Sequence, residues 1–411
     1  MNFQTHGQDS SPGGRGETPD SVLSGSLAPP SPPAGGGEGE KGRDERSFAA
    51  LSSAPLWTAA SAAAATGGRA VGDWSATGVA IDSRTAAPGD LFVALRGPRH
   101  DGHDFVRAAF ARGAAAAVVA HDFADLPQDA PLLRVADTLA ALGALAAAAR
   151  RRSRARIVAV TGSVGKTGTK EALRLALSVC GPTAASAGSL NNHWGVPLSL
   201  ARLPAEAAYG VFELGMNHAG EIAALTRLVR PHVAVVTTVE PAHLGFFPSV
   251  EAIADAKAEI FEGLEPGGIA VLYRDNPYYE RLAAAARRCG AAVLSFGAAA
   301  DAAVRLAECA LRPDGSTVAA TLAGAPLRYE LQVPGRHWVT NSLAVLAAAH
   351  AVGADAARAA SALARLEAPT GRGRRHDLVW QDGRLTLFDE SYNASPASMR
   401  AAFAVIGAAE P

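Results

Sequence analysis

Lysine is the charged residue that this chain uses least. Among its 411 residues the lysines are Lys41, Lys166, Lys170 and Lys257, and every other basic residue is arginine. Positions at which the two residues are interchangeable therefore carry arginine. We expect the lysines of the folded part to perform chemistry that a guanidinium cannot.

Cysteine is scarce as well. Cys180, Cys289 and Cys309 are odd in number and widely spaced, so they fit neither a disulfide framework nor a metal-binding spacing. Their scarcity is typical of a protein from a reducing compartment.

Long apolar runs are missing. No stretch reaches the roughly 18 strongly apolar residues of a membrane span, and the first residues lack the charged-then-apolar pattern of a signal peptide. The formal net charge of −1 gives no general attraction to nucleic acid or to an anionic membrane. We therefore expect a soluble cytoplasmic enzyme that is monomeric, binds no nucleic acid and has no membrane span.

Changes in composition divide the chain into four parts. Residues 1–46 are rich in glycine, proline, serine and charge, which predicts a disordered N-terminal extension. In 47–154, short strands and Ala-rich helices predict a small α/β domain, with Arg150–Arg156 as a solvated helix end and linker. In 155–366, alternating apolar strands and helices predict a mostly parallel sheet covered on both faces. Residues 367–411 predict two strands and a helix, which are too few for a complete domain.

A glycine-rich turn lies between the predicted strand Ile157–Val160 and the helix predicted over Lys170–Leu177. Its glycines let backbone amides surround phosphate oxygens at the start of a helix. Lys166 would reach the β- and γ-phosphates, and the Thr167 hydroxyl would bind Mg²⁺. The spacing is the short G-x-x-G-K-T form, because Val160 stands where the longer motif has glycine. An ordinary glycine turn is the alternative, but one of only four lysines occupies the phosphate-binding position. The predicted nucleotide-binding residues are Gly162, Ser163, Val164, Gly165, Lys166, Thr167 and Gly168.

Two further side chains are expected at the same edge of the sheet. Glu213 follows the strand YGVFELG and His243 follows HVAVVTTV. Ligands bind where parallel strands end, so both side chains are candidate ligands of Mg²⁺. Their alternatives are a helix-start carboxylate and a structural histidine.

Lys257 lies on the predicted helix DAKAEIF. A solvated lysine paired with Asp255 or Glu259 is one interpretation. The other is a carbamylated lysine, because a neutral amine reacts with CO₂ and a guanidinium does not, and the carbamate would be an oxygen ligand for a second Mg²⁺. Lys170, by contrast, is expected at the surface or at the periphery of the phosphate site.

Two other segments look like binding loops. SLNNHWGVP over Ser189–Pro197 is rich in amide donors, and GRHWVTNS over Gly335–Ser342 offers His337 and Asn341 at the start of a helix, where they could meet a base or a sugar. Either segment alone would be weak support for a binding site.

Together these motifs resemble the Mur ligases of peptidoglycan synthesis, in particular the branch that joins D-alanyl-D-alanine to UDP-N-acetylmuramoyl-tripeptide. The matching segments keep the family's order: DSRTAAPGDLFVALRGPRHDGHDF, TGSVGKTGTKE, LNNHWGVP, FELGMNHAGEI, PAHLGFFPSVEAIADAKAEIF, PGRHWVTNSLAVLAAA, the GR at Gly371-Arg372, and DESYNASPASM. The resemblance covers roughly residues 50–411.

The resemblance implies a three-domain α/β architecture: a small UDP-sugar domain, a central P-loop ATPase sheet and a Rossmann-like third domain, here incomplete. It places the UDP-sugar on Ser83, Arg84, Asp101, Gly102 and His103. It assigns catalytic roles to Lys166, Lys257, His243 and Asn192, and metal binding to Thr167, Glu213, His243 and carbamylated Lys257. It adds His337, Asn341, Arg372 and Asp389 to the ATP site.

The implied chemistry uses ATP and two Mg²⁺ ions to form an acyl phosphate, which the amine of D-Ala-D-Ala then attacks. Two positions depart from the family pattern: Gly168 replaces a second Thr or Ser, and Trp338 replaces a frequent Asn. Because the third domain is expected to be incomplete, we expect residues 1–411 to bind ATP or UDP-sugar but to ligate poorly. The alternatives are a Mur-type ligase for another amino acid, a P-loop NTPase switch, and a non-catalytic UDP-sugar- or ATP-binding form.

Overall fold

The computed structural model describes residues 55–127, 129–242, 245–381 and 383–408 of the chain. The predicted disordered extension 1–46 and the predicted metal ligand His243 lie outside these residues. Within them, three groups of strands follow one another along the chain, and the predicted α/β class is confirmed.

The first group is a five-stranded sheet flanked by helices. Its central strand, AAVVA, is apolar throughout and buried at every residue, as expected for a strand covered on both faces. The strand order is β2-β7-β6-β5-β4, with β2 antiparallel to β7 and the others parallel. The bounds are β1 Trp57–Thr58, α1 Ala59–Thr66, β2 Arg69–Val71, β3 Ser75–Ala76, β4 Gly78–Ala80, β5 Asp90–Val93, α2 Val106–Ala111, β6 Ala116–Ala120, β7 Leu132–Val135 and α3 Thr138–Arg152. A short 3₁₀ turn, Gly102–Phe105, precedes α2, and β1 pairs with β3.

The second group is a nine-stranded sheet in the order β16-β15-β14-β13-β12-β11-β8-β10-β9. Its strands are β8 Arg156–Thr161, β9 Thr183–Ala185, β10 Tyr209–Glu213, β11 Val233–Val236, β12 Ile269–Tyr273, β13 Ala292–Gly297, β14 Val304–Arg312, β15 Gly315–Leu322 and β16 Ala325–Leu331. The strands from β9 to β14 are parallel, and β14, β15 and β16 form an antiparallel meander at one edge. The sheet is thus mostly parallel, as predicted.

Helices cover both faces of this sheet and produce two separate apolar cores. The helices are α4 Lys166–Ser178, α5 Gly195–Ala201, α6 Glu221–Val229, α7 Val250–Ala258, α8 Tyr279–Arg288, α9 Arg336–Ala351 and α10 Ala356–Ala362, with 3₁₀ turns at Glu259–Gly263 and Leu363–Arg365. One core contains buried residues of α4, α9 and α10, and the other contains residues of α5 to α8. Within the described part of the chain, no helix is long and apolar enough to cross a membrane.

The third group is the hairpin β17 Arg374–Trp380 and β18 Gly383–Asp389, followed by α11 Pro396–Gly407. The helix begins where the sequence signals it. Ser395 and Ser398 form a reciprocal capping box, and proline occupies the first helical position, where no amide donor is needed.

Two basic residues that were expected in solvent are buried. Arg150 is 6% exposed, because its guanidinium donates to the carbonyl oxygens of Val229 and Arg230 and to Glu265. It thereby joins α3 to the central group. Lys170 is fully buried, so the surface, one of its two predicted positions, is wrong, whereas the periphery of the phosphate site stays a prediction. Its helix α4 also begins four residues earlier than expected, at Lys166 itself.

Candidate active site

The glycine-rich turn after β8 has the backbone shape of a phosphate loop. Gly162 has φ +151° and Gly165 has φ +82°, and a Cβ at Gly162 would lie 1.9 Å from Oγ1 of Thr237. The Thr237 hydroxyl donates to the carbonyl of Val164 at 2.6 Å. The Lys166 ammonium donates to the carbonyl of Gly162 at 2.9 Å, so it lies folded over the loop. This arrangement leaves the first amides of α4 directed at the space in front of the loop.

A hydrogen-bonded group of polar side chains, centred on Glu213, lies beside the loop. Glu213 is the last residue of β10, which neighbours β8, and it is 1% exposed. Its carboxylate accepts from the Thr167 hydroxyl at 2.9 Å and from the Asn191 amide at 2.7 Å. Among the described residues, no cluster of three His, Cys, Asp or Glu side chains could enclose a metal. One carboxylate and one hydroxyl nevertheless fit Mg²⁺, which takes its other ligands from phosphates and water.

Two lysines, Lys166 and Lys257, interact electrostatically near Glu213. Burial lowers the pKa of Lys166, the charge of Glu213 opposes the shift, and the charge of Arg372 adds to it. Lys257 on α7 is 2% exposed, and burial, together with the charge of Lys166, lowers its pKa well below the ordinary value for lysine. Lys257 is therefore not the solvated helix lysine that was one of its two interpretations.

A cavity of about 1150 Å³ opens in front of the phosphate loop. Its volume is ample for a nucleotide and part of a second substrate. Besides the loop and Glu213, the central group contributes His337, Trp338 and Asn341 to its walls. The third group contributes residues from the opposite side: Arg372, Glu390, Tyr392 and Asn393.

The start of α9 forms the wall that lies against the phosphate loop. A Cβ at Gly165 would lie 3.0 Å from Nδ2 of Asn341, and a Cβ at Gly168 would lie 2.7 Å from Cη2 of Trp338. The two departures from the family pattern are thus in contact, since the indole ring occupies the space of a side chain at Gly168. His337 lines the cavity and is exposed to solvent, and partial desolvation by the surrounding protein lowers its pKa to about 4.

Arg372 and Asp389 have different positions. The Arg372 guanidinium lies 4.1 Å from the ring centre of Tyr392 and lines the cavity. The Asp389 carboxylate accepts from the backbone amides of Gly371 and Ser391 at 3.0 and 3.1 Å. Asp389 is not among the described residues that line the cavity, and its contacts shape the turn that carries Arg372.

The predicted UDP-sugar residues belong to two segments of the first group. Ser83 is buried, whereas Arg84 is exposed and pairs with Asp82. Asp101 caps the turn Gly102–Phe105.

His103 in that turn has no free ring nitrogen. Nδ1 contacts Asp101 at 2.5 Å, and Nε2 accepts from the amide of Ala120 at 2.9 Å. A Cβ at Gly102 would lie 2.6 Å from the backbone of Leu95. These contacts hold the loop around Asp101, Gly102 and His103 in shape without any substrate. Contact of Asp101 and Gly102 with the UDP-sugar stays a prediction.

Asn192 and its neighbour Asn191 both line the cavity but make different contacts. Asn192 lines the cavity, but its side-chain oxygen accepts from the amides of Trp194 and Gly195 and caps α5. Asn191, which the sequence reasoning passed over, contacts Glu213 instead. Thr237 and Tyr392 were also missed. The amide-rich loop was a usable signal for Asn191, whereas Thr237 carried no motif of its own.

Comparison with known proteins assigns this arrangement to a family. Two family models match the chain: the Mur ligase middle domain over residues 160–349, and the Mur ligase family, catalytic domain, over residues 75–150. The UDP-N-acetylmuramoyl-tripeptide–D-alanyl-D-alanine ligase of Escherichia coli is 40% identical over 331 residues, which are 80% of this chain and 71% of that enzyme. The chain belongs to the Mur ligase family.

Further Mur ligases agree in sequence and fold. The enzyme of the same name from Bacillus subtilis is 34% identical, over 79% of this chain and 69% of its own length. The crystal structure of MurF from Acinetobacter baumannii superposes with a TM-score of 0.75 at 34% identity, covering 87% of this chain and 77% of that one. MurF of Thermotoga maritima, solved in complex with ADP, has a TM-score of 0.67 at 27% identity, covering 80% and 74%. The predicted family is confirmed.

Proposed function

We propose that this chain is an ATP-dependent amide ligase that joins D-alanyl-D-alanine to UDP-N-acetylmuramoyl-tripeptide. One observation carries the proposal: the phosphate loop, Glu213 and Arg372 face a single cavity that is large enough for a nucleotide and an acceptor. The relatives that are named for this reaction match both the first and the central group of the chain. A Mur ligase for another amino acid is the nearest alternative.

The reaction has two steps whose charges fit the site. A carboxylate oxygen of the peptide attacks the γ-phosphorus of ATP, the bond to the bridging oxygen breaks, and ADP leaves. The amine of D-Ala-D-Ala then attacks the acyl carbon, loses a proton and expels phosphate. Both reactants of the first step are anions, so Lys166 and Arg372 reduce their repulsion and stabilise the transferring phosphoryl group. The walls of the cavity shield the acyl phosphate from water.

Thr167 and Glu213 are the proposed protein ligands of one Mg²⁺, with Asn191 orienting the carboxylate. A second Mg²⁺ would be held by His243 and a carbamate on Lys257. The neutral amine of Lys257 would add to CO₂ and lose a proton, which would place an anion beside Lys166. Bound Mg²⁺ supplies charge neutralisation at the phosphates.

The remaining predicted assignments are part of this proposal. His337 and Asn341 would lie on the base side of the nucleotide, Asp389 would fix the turn of Arg372, and Ser83 and Arg84 would hold the UDP-sugar. The domain boundaries near 46, 154 and 366, the cytoplasmic location and the monomeric state stay predictions.

The test measures phosphate release with ATP, Mg²⁺ and UDP-N-acetylmuramoyl-tripeptide, with and without D-Ala-D-Ala. We expect release that depends on D-Ala-D-Ala and equals the amide product detected by mass spectrometry. Stimulation by a different amino acid would identify another Mur-type ligase. Release that is independent of both substrates would favour a P-loop NTPase switch, and binding of ATP with no release would favour a non-catalytic form.

A further inference from the structure

Tyr392 contacts two different parts of the molecule. The guanidinium of Arg372 lies over its ring at 4.1 Å from the ring centre, and its hydroxyl is hydrogen-bonded to the hydroxyl of Ser189. Arg372 belongs to the third group of strands, whereas Ser189 belongs to the loop that follows β9 in the central group. One side chain therefore spans the cavity between the two groups.

The Ser189 side of this contact is rigidly held. The ammonium of buried Lys170 donates to the carbonyls of Ser186 and Gly188 at 2.7 and 2.9 Å and pairs with Glu171 at 2.5 Å. Lys170 lies on α4, which begins with the phosphate-loop residue Lys166. The backbone just before Ser189 is thus tied directly to the helix that carries the phosphate loop.

The Arg372 side is held by backbone contacts. Asp389 accepts from the amides of Gly371 and Ser391, and the Tyr392 amide donates to the Gly371 carbonyl at 3.2 Å. Gly371 has φ +74°, and a Cβ there would lie 2.8 Å from that of Tyr392. The backbone therefore holds Arg372 and Tyr392 next to each other. Arg372 is also close enough to Lys166 for its positive charge to lower the pKa of that lysine.

We propose that Tyr392 is the positioning residue that aims Arg372 at the phosphate end of the cavity, and that its hydroxyl fixes this position through Ser189. An arginine side chain has many rotamers, and ordering it costs conformational entropy. A ring beneath the guanidinium selects one orientation through a cation–π contact. The hydrogen bond to Ser189 then sets the distance between Arg372 and the phosphate loop. This inference rests on the proposed nucleotide site, but not on the identity of the acceptor.

The test is a double-mutant cycle on the full chain with Tyr392→Phe, Ser189→Ala and the double variant. The dissociation constant of ATP with Mg²⁺ is measured by calorimetry, and KM and kcat by phosphate release. Each single substitution removes the same hydrogen bond, so each should weaken ATP binding about fivefold. The double variant should be no weaker than either single variant.

A third substitution separates the ring from the hydroxyl. Tyr392→Leu removes the cation–π contact as well, so it should weaken ATP binding by about a further threefold. It should also lower kcat, because Arg372 is no longer aimed at the transferring phosphate. Tyr392→Phe keeps the ring and should change mainly KM. A purely structural role of the tyrosine would not produce this split.

Matched controls make the same chemical changes elsewhere. Tyr278→Phe removes a hydroxyl that contacts Glu251, and Ser178→Ala removes one that donates to the carbonyl of Leu175. Neither residue lines the cavity in the described part of the chain. Both controls should bind ATP like the unchanged chain.

Two results would overturn the inference. In the first, Tyr392→Phe and Ser189→Ala bind ATP as tightly as the controls do. In the second, the increase in the ATP dissociation constant of the double variant equals the product of the two single increases. Failure of the ligase proposal looks different. In that case amide product is missing for every variant, while the pattern of ATP dissociation constants is retained.

Discussion

Lys257 combines deep burial with a positive neighbour and an ordinary helical position on α7. Its pKa is lowered well below the usual value, first by burial and then by Lys166, so the reactive neutral amine is more available than in an ordinary lysine. Arginine keeps the positive charge but forms no carbamate. We therefore expect Lys257→Arg to reduce ligation by at least about 100-fold, the order of effect seen when a charge-stabilising group is removed.

The measurement is the rate of amide formation with added bicarbonate, together with the ¹³C-carbamate resonance from labelled bicarbonate. Lys41→Arg makes the same exchange at the one lysine in residues 1–46 and should leave both signals unchanged. A carbamate resonance that persists in Lys257→Arg would assign it to another amine and would contradict the proposed role of Lys257.

The position of a single residue could be predicted from the sequence only where local structure determines it. The grouping of Lys166, Thr167 and Glu213 could be predicted because a local motif or a strand end positions each of them. The burial of Lys170 could not, since it depends on the carbonyls of Ser186 and Gly188, which belong to the loop that follows β9. The sequence also could not show that Asn191, and not Asn192, contacts Glu213. The two side chains are identical and differ only in the direction that the folded backbone gives them.

At the scale of elements, α4 and α9 pack closely because Gly168 faces Trp338. Alanine normally favours a helix over glycine by about 1 kcal/mol. At Gly168, however, the added Cβ would lie 2.7 and 2.9 Å from two atoms of the indole ring. Overpacking of this kind costs about 1–3 kcal/mol, so we expect Gly168→Ala to lower the free energy of unfolding.

Gly143 on α3 is the matched control, because a Cβ there meets nothing within 4 Å. Gly143→Ala should leave the protein as stable as before or more stable, by up to about 1 kcal/mol. Denaturant unfolding of both variants checks the contrast, and Trp338→Phe should restore part of the stability in the Gly168→Ala background. Equal stability of the two alanine variants would show that the ring moves aside without cost.

The long apolar strands could be predicted from sequence, and the antiparallel meander could not. Strands β8, β10 and β11 are mostly apolar and almost wholly buried, whereas β14 and β16 mix apolar residues with Arg and Glu and are only partly buried. Their pairing depends on neighbouring strands and on two tight turns. Helix α9 begins at Arg336, and the sequence does not mark this residue, because no capping side chain precedes it.

At the scale of the whole molecule, the junction between the first and central groups contains a partly buried cluster of charged residues around Arg150. His232, just before β11, accepts from the amide of Ile157 through Nδ1 at 2.9 Å. Burial lowers its pKa to about 4, and the positive charges of Arg156 and Arg150 add to the shift. Glu265, which pairs with Arg150 and Arg230, opposes it.

This junction should make stability depend on pH. Because the pKa of His232 is lower in the folded chain than in the unfolded one, the unfolded chain binds more protons between the two values. Stability is therefore complete above the unfolded pKa and is lost as the pH falls towards 4. The contribution of His232 is on the order of 2 kcal/mol between about pH 7 and about pH 4.5.

His232→Asn retains an acceptor oxygen for the Ile157 amide but does not titrate, so its stability should fall less steeply over that range. His350→Asn, at an exposed position near the end of α9, should keep the steeper dependence of the unchanged chain. Urea unfolding at several pH values gives the slopes. Parallel slopes for the unchanged chain and His232→Asn would remove this histidine from the explanation.

The contact between Gly168 and Trp338 also constrains how this active site could have evolved. A side chain at position 168 is disfavoured while the indole is present, since a new Cβ would lie 2.7 Å from the ring. The route between a hydroxyl-bearing residue and the present pair that avoids this clash loses the side chain before it gains the tryptophan, and the reverse route loses the tryptophan first. Both routes pass through an intermediate with glycine and a small neighbour, which has a void beside the phosphate loop. Neutral drift at these two positions is therefore ordered in time.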